Sequence, residues 1–383
     1  GLQKSDRGQM IMACGTGKTF TTLWIKEALK SETTLVLLPS LSLLSQTMRE
    51  WAWAGNTDFE ILNVCSDKSV GKKTEDMAPS DAPFAVTSDV HEIAKFLQKS
   101  GPRVVFCTYQ SSQLIAEAQI DAEVPTFDLA IADEAHRCAG KADAGFATIL
   151  DGEKIRASKR LFTTATPRYF GKAIKDASKA ADLAVIGMDD ETVFGPVIHQ
   201  LTFGQAIQDE LLNDYQVVIV GVDEPMVKQW IDNYEIVATN PDETTDARTL
   251  AAKIGMLKAV KDYDLKRVIS FHSRVSGAKK FSEELTEVAD LIEPANRPDG
   301  TFLSDYVSGA MKAGDRKDKI DKLKELEGYD RGILTNARCL AEGVDVPSLD
   351  GVAFIDPKGS QVEIIQAVGR AIRKVRGAES QTK

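Results

Sequence analysis

Short apolar runs recur along this chain in two series, with segments of helical periodicity between them, and that alternation leaves few folds open. Gln9–Ala13, Thr34–Leu38, Val104–Cys107, Asp128–Ala132 and Arg160–Thr163 form the first series. Gln216–Val220, Val268–Phe271, Gly332–Thr335 and Val352–Ile355 form the second. Runs that are apolar on both faces suit the interior of a parallel sheet, whose two sides are covered by helices. With 383 residues, 43% of them hydrophobic, the chain has material for two such cores. The sequence therefore predicts an α/β protein of two doubly wound parallel-sheet domains, residues 1–205 and 206–383, joined within the window 200–214. Asp67–Asp89, rich in charge, Ser, Pro and Gly, reads as a mobile surface insert. Pro225–Tyr263 reads as largely helical with a break at Asn240-Pro241, and Lys312–Glu327, mixed in charge, as a solvated helix.

The junction between the first run and the helix after it has the composition of a phosphate cradle. It reads Met12-Ala13-Cys14-Gly15-Thr16-Gly17-Lys18-Thr19, followed by Phe20, Leu23, Trp24 and Ala28 at helical spacing. Gly15 and Gly17 allow a tight turn around Thr16, so that backbone N–H groups and the helix N-terminus face an anion. Lys18 suits the β- and γ-phosphates of ATP, and the Thr19 hydroxyl suits Mg²⁺. The general pattern has glycine at position 12, where this chain has methionine; the Gly-Thr-Gly-Lys-Thr core is intact. Taken alone, the plain alternative is a glycine-rich turn with an ordinary surface lysine.

Two further features join the cradle. Asp133-Glu134-Ala135-His136 follows the apolar run Leu129–Ala132, placing carboxylates at the carboxyl end of a strand. Asp133 suits Mg²⁺, and Glu134 suits the orientation and deprotonation of an attacking water. Arg370 and Arg373 lie one turn apart on a predicted helix, Val362–Val375, and share a face. An arginine finger that stabilises charge on a transferring phosphoryl group is the expected role, with Arg373 as the finger and Arg370, one turn earlier, as its rival. A basic, solvent-facing helix end is the alternative. A cradle, an acidic pair and a remote arginine together predict an ATP-hydrolysing motor.

The net charge of −10 argues against a broad polyanion-binding face, so nucleic acid, if bound, meets a local patch or backbone N–H groups. Five cysteines without a Cys-x-x-Cys pair suggest reduced thiols and a cytoplasmic protein. The four histidines are scattered, which argues against zinc. No signal peptide or membrane-length apolar run is apparent.

With these residues placed, the chain resembles the superfamily 2 helicases and translocases over nearly its whole length. Gly15–Thr19 looks like motif I, Pro39–Ser42 motif Ia, Thr108–Ser111 motif Ib, Asp133–His136 motif II and Thr164–Pro167 motif III. Ser270–Ser273 resembles motif IV, Thr335–Ala337 with Glu342–Pro347 motif V, and Gln366–Arg373 motif VI. The resemblance implies two tandem RecA-like domains with ATP in a cleft between them. It implies that Gly15, Thr16, Gly17, Lys18, Thr19, Gly343, Asp345 and Gln366 line the nucleotide, and that Ser40, Thr108, Gln110 and Thr335 face the nucleic-acid backbone. Arg7-Gly8-Gln9, Asp133–Cys138, Thr164–Arg168 and the stretch Phe203–Gln216 are similar to motors of restriction enzymes, type ISP and type I/III.

That similarity implies an ATP- and Mg²⁺-dependent translocase on double-stranded DNA. The other functions consistent with the motifs are a DEAH-type RNA helicase and a nucleotide-gated binding module. The family's adenine-reading glutamine has no counterpart, since Gln3 and Gln9 stand too close to Gly15. The family also continues one strand beyond motif VI. The expectation is the motor of a longer polypeptide, with nuclease and methyltransferase domains outside it.

Overall fold

The computed structural model describes residues 1–65, 84–141, 145–171, 185–221, 243–292, 297–309, 311–337, 349–357 and 361–372. It divides into two compact units, Gly1–Leu212 and Asn213–Lys383, against an expected join at 205/206. Both are parallel-sheet α/β structures, as the alternating apolar runs predict.

The first unit runs β1 (Arg7–Met12), α1 (Lys18–Ala28), β2 (Thr33–Leu38), α2 (Leu41–Ala54), β3 (Glu60–Val64), α3 (Val90–Leu97), β4 (Arg103–Thr108), α4 (Ser112–Ala118) and β5 (Phe127–Asp133). It continues with β6 (Gly140–Lys141), β7 (Ala157–Thr164), β8 (Val185–Ile186), α5 (Glu191–Phe194), β9 (Val197–Leu201) and α6 (Phe203–Gln208). Seven strands form one parallel sheet in the order β3-β4-β2-β5-β7-β1-β9. Neighbouring residues on a strand point to opposite faces, and the two faces have separate cores. Leu35, Leu37, Val105, Cys107, Ala130 and Ala132 enter one core, while Val36, Leu38, Val104, Phe106, Leu129 and Ile131 enter the other. This is why the runs carry no polar alternation.

The second unit runs α7 (Glu243–Asp262), β10 (Arg267–His272), α8 (Val275–Leu291), β11 (Phe302–Ser308), α9 (Ala313–Glu325), β12 (Arg331–Ala337), β13 (Gly351–Phe354) and α10 (Gln361–Ala371). Its parallel sheet has the order β11-β12-β10-β13. Ile269, Phe271 and Leu334 face one core, and Val268 and Ile333 the other.

One device recurs in both units. The Asp128 carboxylate accepts the Glu32 and Thr33 amides at 2.8 and 2.9 Å, fixing the start of β2. The Asp350 carboxylate accepts the Lys266 and Arg267 amides at 3.1 and 2.8 Å, fixing the start of β10. Each aspartate satisfies backbone donors at a strand entrance where the ladder has not yet begun.

The run Gln216–Val220 departs from its predicted core strand. It forms no strand among the described residues, and Val217 and Ile219 are 76% and 92% exposed. β-propensity needs a neighbouring strand and a packed face before it takes effect, and no described strand pairs with this run. The predicted insert falls largely on residues 66–83, and most of the stretch ahead of Glu243 on 222–242, both outside the described residues. Helix α10 is described only to Ala371, short of the predicted Val375.

Candidate nucleotide site

Three adjacent strands, β5, β7 and β1, deliver the candidate residues at their carboxyl ends, the usual place for ligands on an open parallel sheet. Strand β1 ends in the cradle. Gly15 and Gly17 have φ of 83° and 88°, the left-handed region that favours glycine. A Cβ on Gly17 would meet nothing within 4 Å, so the backbone turn and not crowding requires glycine there. The Thr16 hydroxyl donates to the Ala13 carbonyl at 2.7 Å and closes the loop. Helix α1 then begins at Lys18 with no side-chain cap and no acidic residue in its first turn. Behind it, the fully buried Trp51 of α2 donates its indole N–H to the Thr19 carbonyl at 3.0 Å.

Lys18 Nζ lies 3.3 Å from Glu134 Oε1, and both side chains are only 12% exposed. Burial opposes the lysine's charge, but Glu134, Cys14 and Asp133 more than offset it and hold the ammonium above the ordinary lysine range. Burial likewise opposes ionisation of Glu134, yet Lys18 and His136 bring it down to about 2. Asp133 is pushed the other way, first by burial and then by the adjacent Glu134 charge. One Asp133 oxygen accepts the Thr163 hydroxyl at 2.7 Å, a contact set by the β5–β7 register that pairs these two residues.

Glu134 has φ 49° and ψ 46°. For a residue with a Cβ this conformation costs about 1–2 kcal/mol and needs support from its surroundings. That support is polar. Glu134 Oε2 lies 3.4 Å from His136 Nδ1 and accepts Thr164 Oγ1 at 3.5 Å. His136 Nδ1 is 3.0 Å from Thr164 Oγ1 and 3.4 Å from Thr166 Oγ1, and the Thr166 amide donates to Thr164 Oγ1 at 3.1 Å. The end of β7 therefore braces the acidic pair. The Tyr109 hydroxyl, in the turn that follows β4, braces it as well, donating to the Asp133 carbonyl at 2.6 Å.

Among the described residues no group of three or more His, Cys, Asp or Glu could hold a metal ion by itself. Thr19 and Asp133 are hard oxygen donors, and such a small set suits Mg²⁺ completed by substrate phosphates and water. The candidate nucleic-acid residues divide. Gln110 is exposed, and Ser40 is half-buried and caps α2 by accepting the Leu43 amide at 3.2 Å. Thr108 and Thr335 make internal hydrogen bonds. Both are buried, Thr108 donating to Ser111 Oγ at 3.0 Å and Thr335 to the Ala278 carbonyl at 2.7 Å. Gln366 is buried in α10; Gly343, Asp345, Arg373 and the Arg370 side chain lie outside the described residues.

The motif reading left out Tyr109 as a partner of Asp133, the Thr163 hydroxyl, and the left-handed backbone at Glu134. Of these only Tyr109 carried a visible signal, a hydroxyl-bearing aromatic inside the Thr108–Ser111 run.

Two family profiles match the chain in sequence. The one described as "Type III restriction enzyme, res subunit" matches residues 2–169, and "Helicase conserved C-terminal domain" matches 253–375. The chain belongs to the superfamily 2 helicases. Among helicase relatives, the "Probable helicase A859L" of African swine fever virus (isolate Tick/Malawi/Lil 20-1/1983) is 29% identical over 377 residues, 97% of this chain and 38% of that protein. Among solved structures, the "ATP-dependent Type ISP restriction-modification enzyme LlaBIII bound to DNA" superposes with a TM-score of 0.82 at 32% identity, over 100% of this chain and 26% of that one. A nuclease-deletion mutant of the type ISP enzyme LlaGI with a DNA substrate mimic gives 0.65 at 30% identity, over 97% and 25%. This helicase is thus related to the motors of restriction enzymes, and it spans about a quarter to two fifths of these relatives' lengths. The Pyrococcus furiosus Hef helicase domain shares the fold, with a TM-score of 0.52 at 15% identity. No described helix is long and apolar enough to cross a membrane.

Proposed function

We propose that the chain is an ATP-driven motor that moves on double-stranded DNA, the motor portion of a larger restriction-modification enzyme. The observation that carries the reading is the ion pair between Lys18 of the cradle and Glu134 of the acidic turn. A triphosphate entering the cradle competes with Glu134 for Lys18. Once Lys18 turns to the phosphates, Glu134 loses its main counter-charge and becomes more basic. It is then suited to accept a proton from the attacking water, held by His136 and Thr164. Thr19 and Asp133 are the residues to hold Mg²⁺, which when bound neutralises phosphate charge. Arg370 and Arg373 are assigned as candidates for the arginine that stabilises charge on the transferring phosphoryl group. Gly343, Asp345 and Gln366 are assigned to the nucleotide.

DNA as the track is supported by the two type ISP relatives, whose structures contain DNA or a DNA mimic. With a net charge of −10, contact is expected through a few polar groups and backbone amides, independent of sequence and sensitive to salt. The test is ATP turnover with duplex DNA, single-stranded DNA and RNA, each at low and moderate salt. Stimulation by duplex DNA is expected. Stimulation by RNA alone would assign an RNA helicase, and turnover with none of them would leave a nucleotide-gated binding module.

A further inference from the structure

The strand end that carries exposed Gln110 also carries Tyr109, which is fully buried. The two stand side by side in one tight turn, Tyr109–Ser111, closed by the 3.0 Å bond from Thr108 Oγ1 to Ser111 Oγ. Tyr109 points inward, its ring 5.5 Å from that of Phe146, and its hydroxyl donates to the Asp133 carbonyl at 2.6 Å. That carbonyl belongs to the peptide plane leading into Glu134. The orientation of this plane sets the φ of Glu134, which at 49° lies in a region a glutamate leaves unless it is held. Burial raises the Tyr109 hydroxyl well above the ordinary tyrosine value, so it remains a proton donor at any working pH.

We propose that Tyr109 is a positioning residue: its hydroxyl fixes the peptide plane ahead of Glu134 and passes the state of the exposed Gln110 turn to that carboxylate. The inference rests on the motor reading for its kinetic consequence, but its structural half does not. Nucleic acid engaging Gln110 shifts a turn of three residues whose first member is hydrogen-bonded to the acidic pair.

The experiment compares wild type, Tyr109→Phe, Gln110→Ala and the double variant. Tyr109→Phe removes one oxygen and keeps the ring. The first readout is amide exchange at Arg137 and Cys138, whose N–H groups donate to the Glu134 and Ala135 carbonyls at 3.0 and 2.9 Å. In Tyr109→Phe it should quicken by roughly tenfold, while Leu129–Ile131 in β5 stay as protected as in wild type. The second readout is turnover with duplex DNA, where kcat should fall by roughly tenfold with KM for ATP unchanged. Gln110→Ala should then have little further effect on kcat in the Tyr109→Phe background, the non-additivity expected of coupled residues. Unchanged exchange at Arg137 and Cys138, exchange quickened evenly along β5, or additive kcat effects would each overturn the proposal. A wild-type chain with no turnover on any nucleic acid would overturn the motor reading instead, and the exchange readout would then decide the role of Tyr109 by itself.

Discussion

Lys18 Nζ stands 3.3 Å from Glu134 Oε1, so the cation of the glycine loop and the carboxylate of the acidic turn neutralise one another across the end of the sheet. Removing the lysine takes away both the phosphate's counter-charge and the main partner of Glu134. Lys18→Ala should lower ATP affinity by about tenfold or more and abolish turnover. The Glu134 carboxyl should also rise from about 2 toward the ordinary range. Nucleotide titration and turnover assays check the first two, and near-normal turnover would remove the cradle from the mechanism.

Trp51 supports the cradle from behind. It is fully buried, its ring centroid is 5.5 Å from that of Phe106, and its indole N–H reaches the Thr19 carbonyl. Trp51→Phe should cost about 1 kcal/mol for the lost hydrogen bond, and Trp51→Ala about 3–5 kcal/mol through the cavity it leaves. Denaturant unfolding of the first unit measures both. Equal losses for the two variants would show that the ring contributes little beyond its N–H.

His272 gives the second unit a pH dependence. Burial lowers its pKa from 6.5 to about 4, against a weaker opposing pull from Asp356. Its Nε2 lies 3.0 Å from Ser270 Oγ. Because the unfolded chain takes the proton first, stability contributed by neutral His272 is complete above pH 6.5 and is lost as the pH falls toward 4. The loss over that window should approach about 3 kcal/mol. His272→Gln should flatten the slope of unfolding free energy against pH in this interval, and parallel slopes would contradict the assignment.

The residues proposed to meet nucleic acid separate by exposure. Gln110→Ala should weaken DNA binding about evenly across sequences, as expected for a backbone contact. Thr335→Val should leave DNA affinity unchanged and instead destabilise the second unit by roughly 1–3 kcal/mol, because the Ala278 carbonyl loses a buried donor. Fluorescence-anisotropy titrations beside unfolding curves distinguish the two. Loss of affinity without loss of stability at Thr335 would assign it as a contact.

The sequence made some parts of this structure plain and concealed others, for physical reasons. Gly15–Thr19 and Asp133-Glu134 are legible because each is local: a turn that needs glycine, and carboxylates directly after an apolar strand. The bond from Thr163 to Asp133 is not local. It exists because β5 and β7 are neighbours in register, and no spacing along the chain states the order of strands in a sheet. At Thr108 and Thr335 motif position alone did not state burial. Their motif positions suggested contact with the nucleic-acid backbone, but each hydroxyl is buried and bonded internally. Gln216–Val220 has the composition of a core strand without a described neighbour to pair with.

Glu134→Gln separates nucleotide binding from hydrolysis at this site. It keeps the size of the side chain and removes only its charge and basicity, while Lys18, Thr19 and Asp133 remain to hold the nucleotide. The measurement is ATP affinity and duplex-DNA-stimulated turnover on the same preparation. ATP should bind at least as tightly as to wild type, since Lys18 is released from its ion pair, while turnover falls by about a hundredfold or more. Turnover close to wild type in Glu134→Gln would exclude Glu134 as the base for the attacking water.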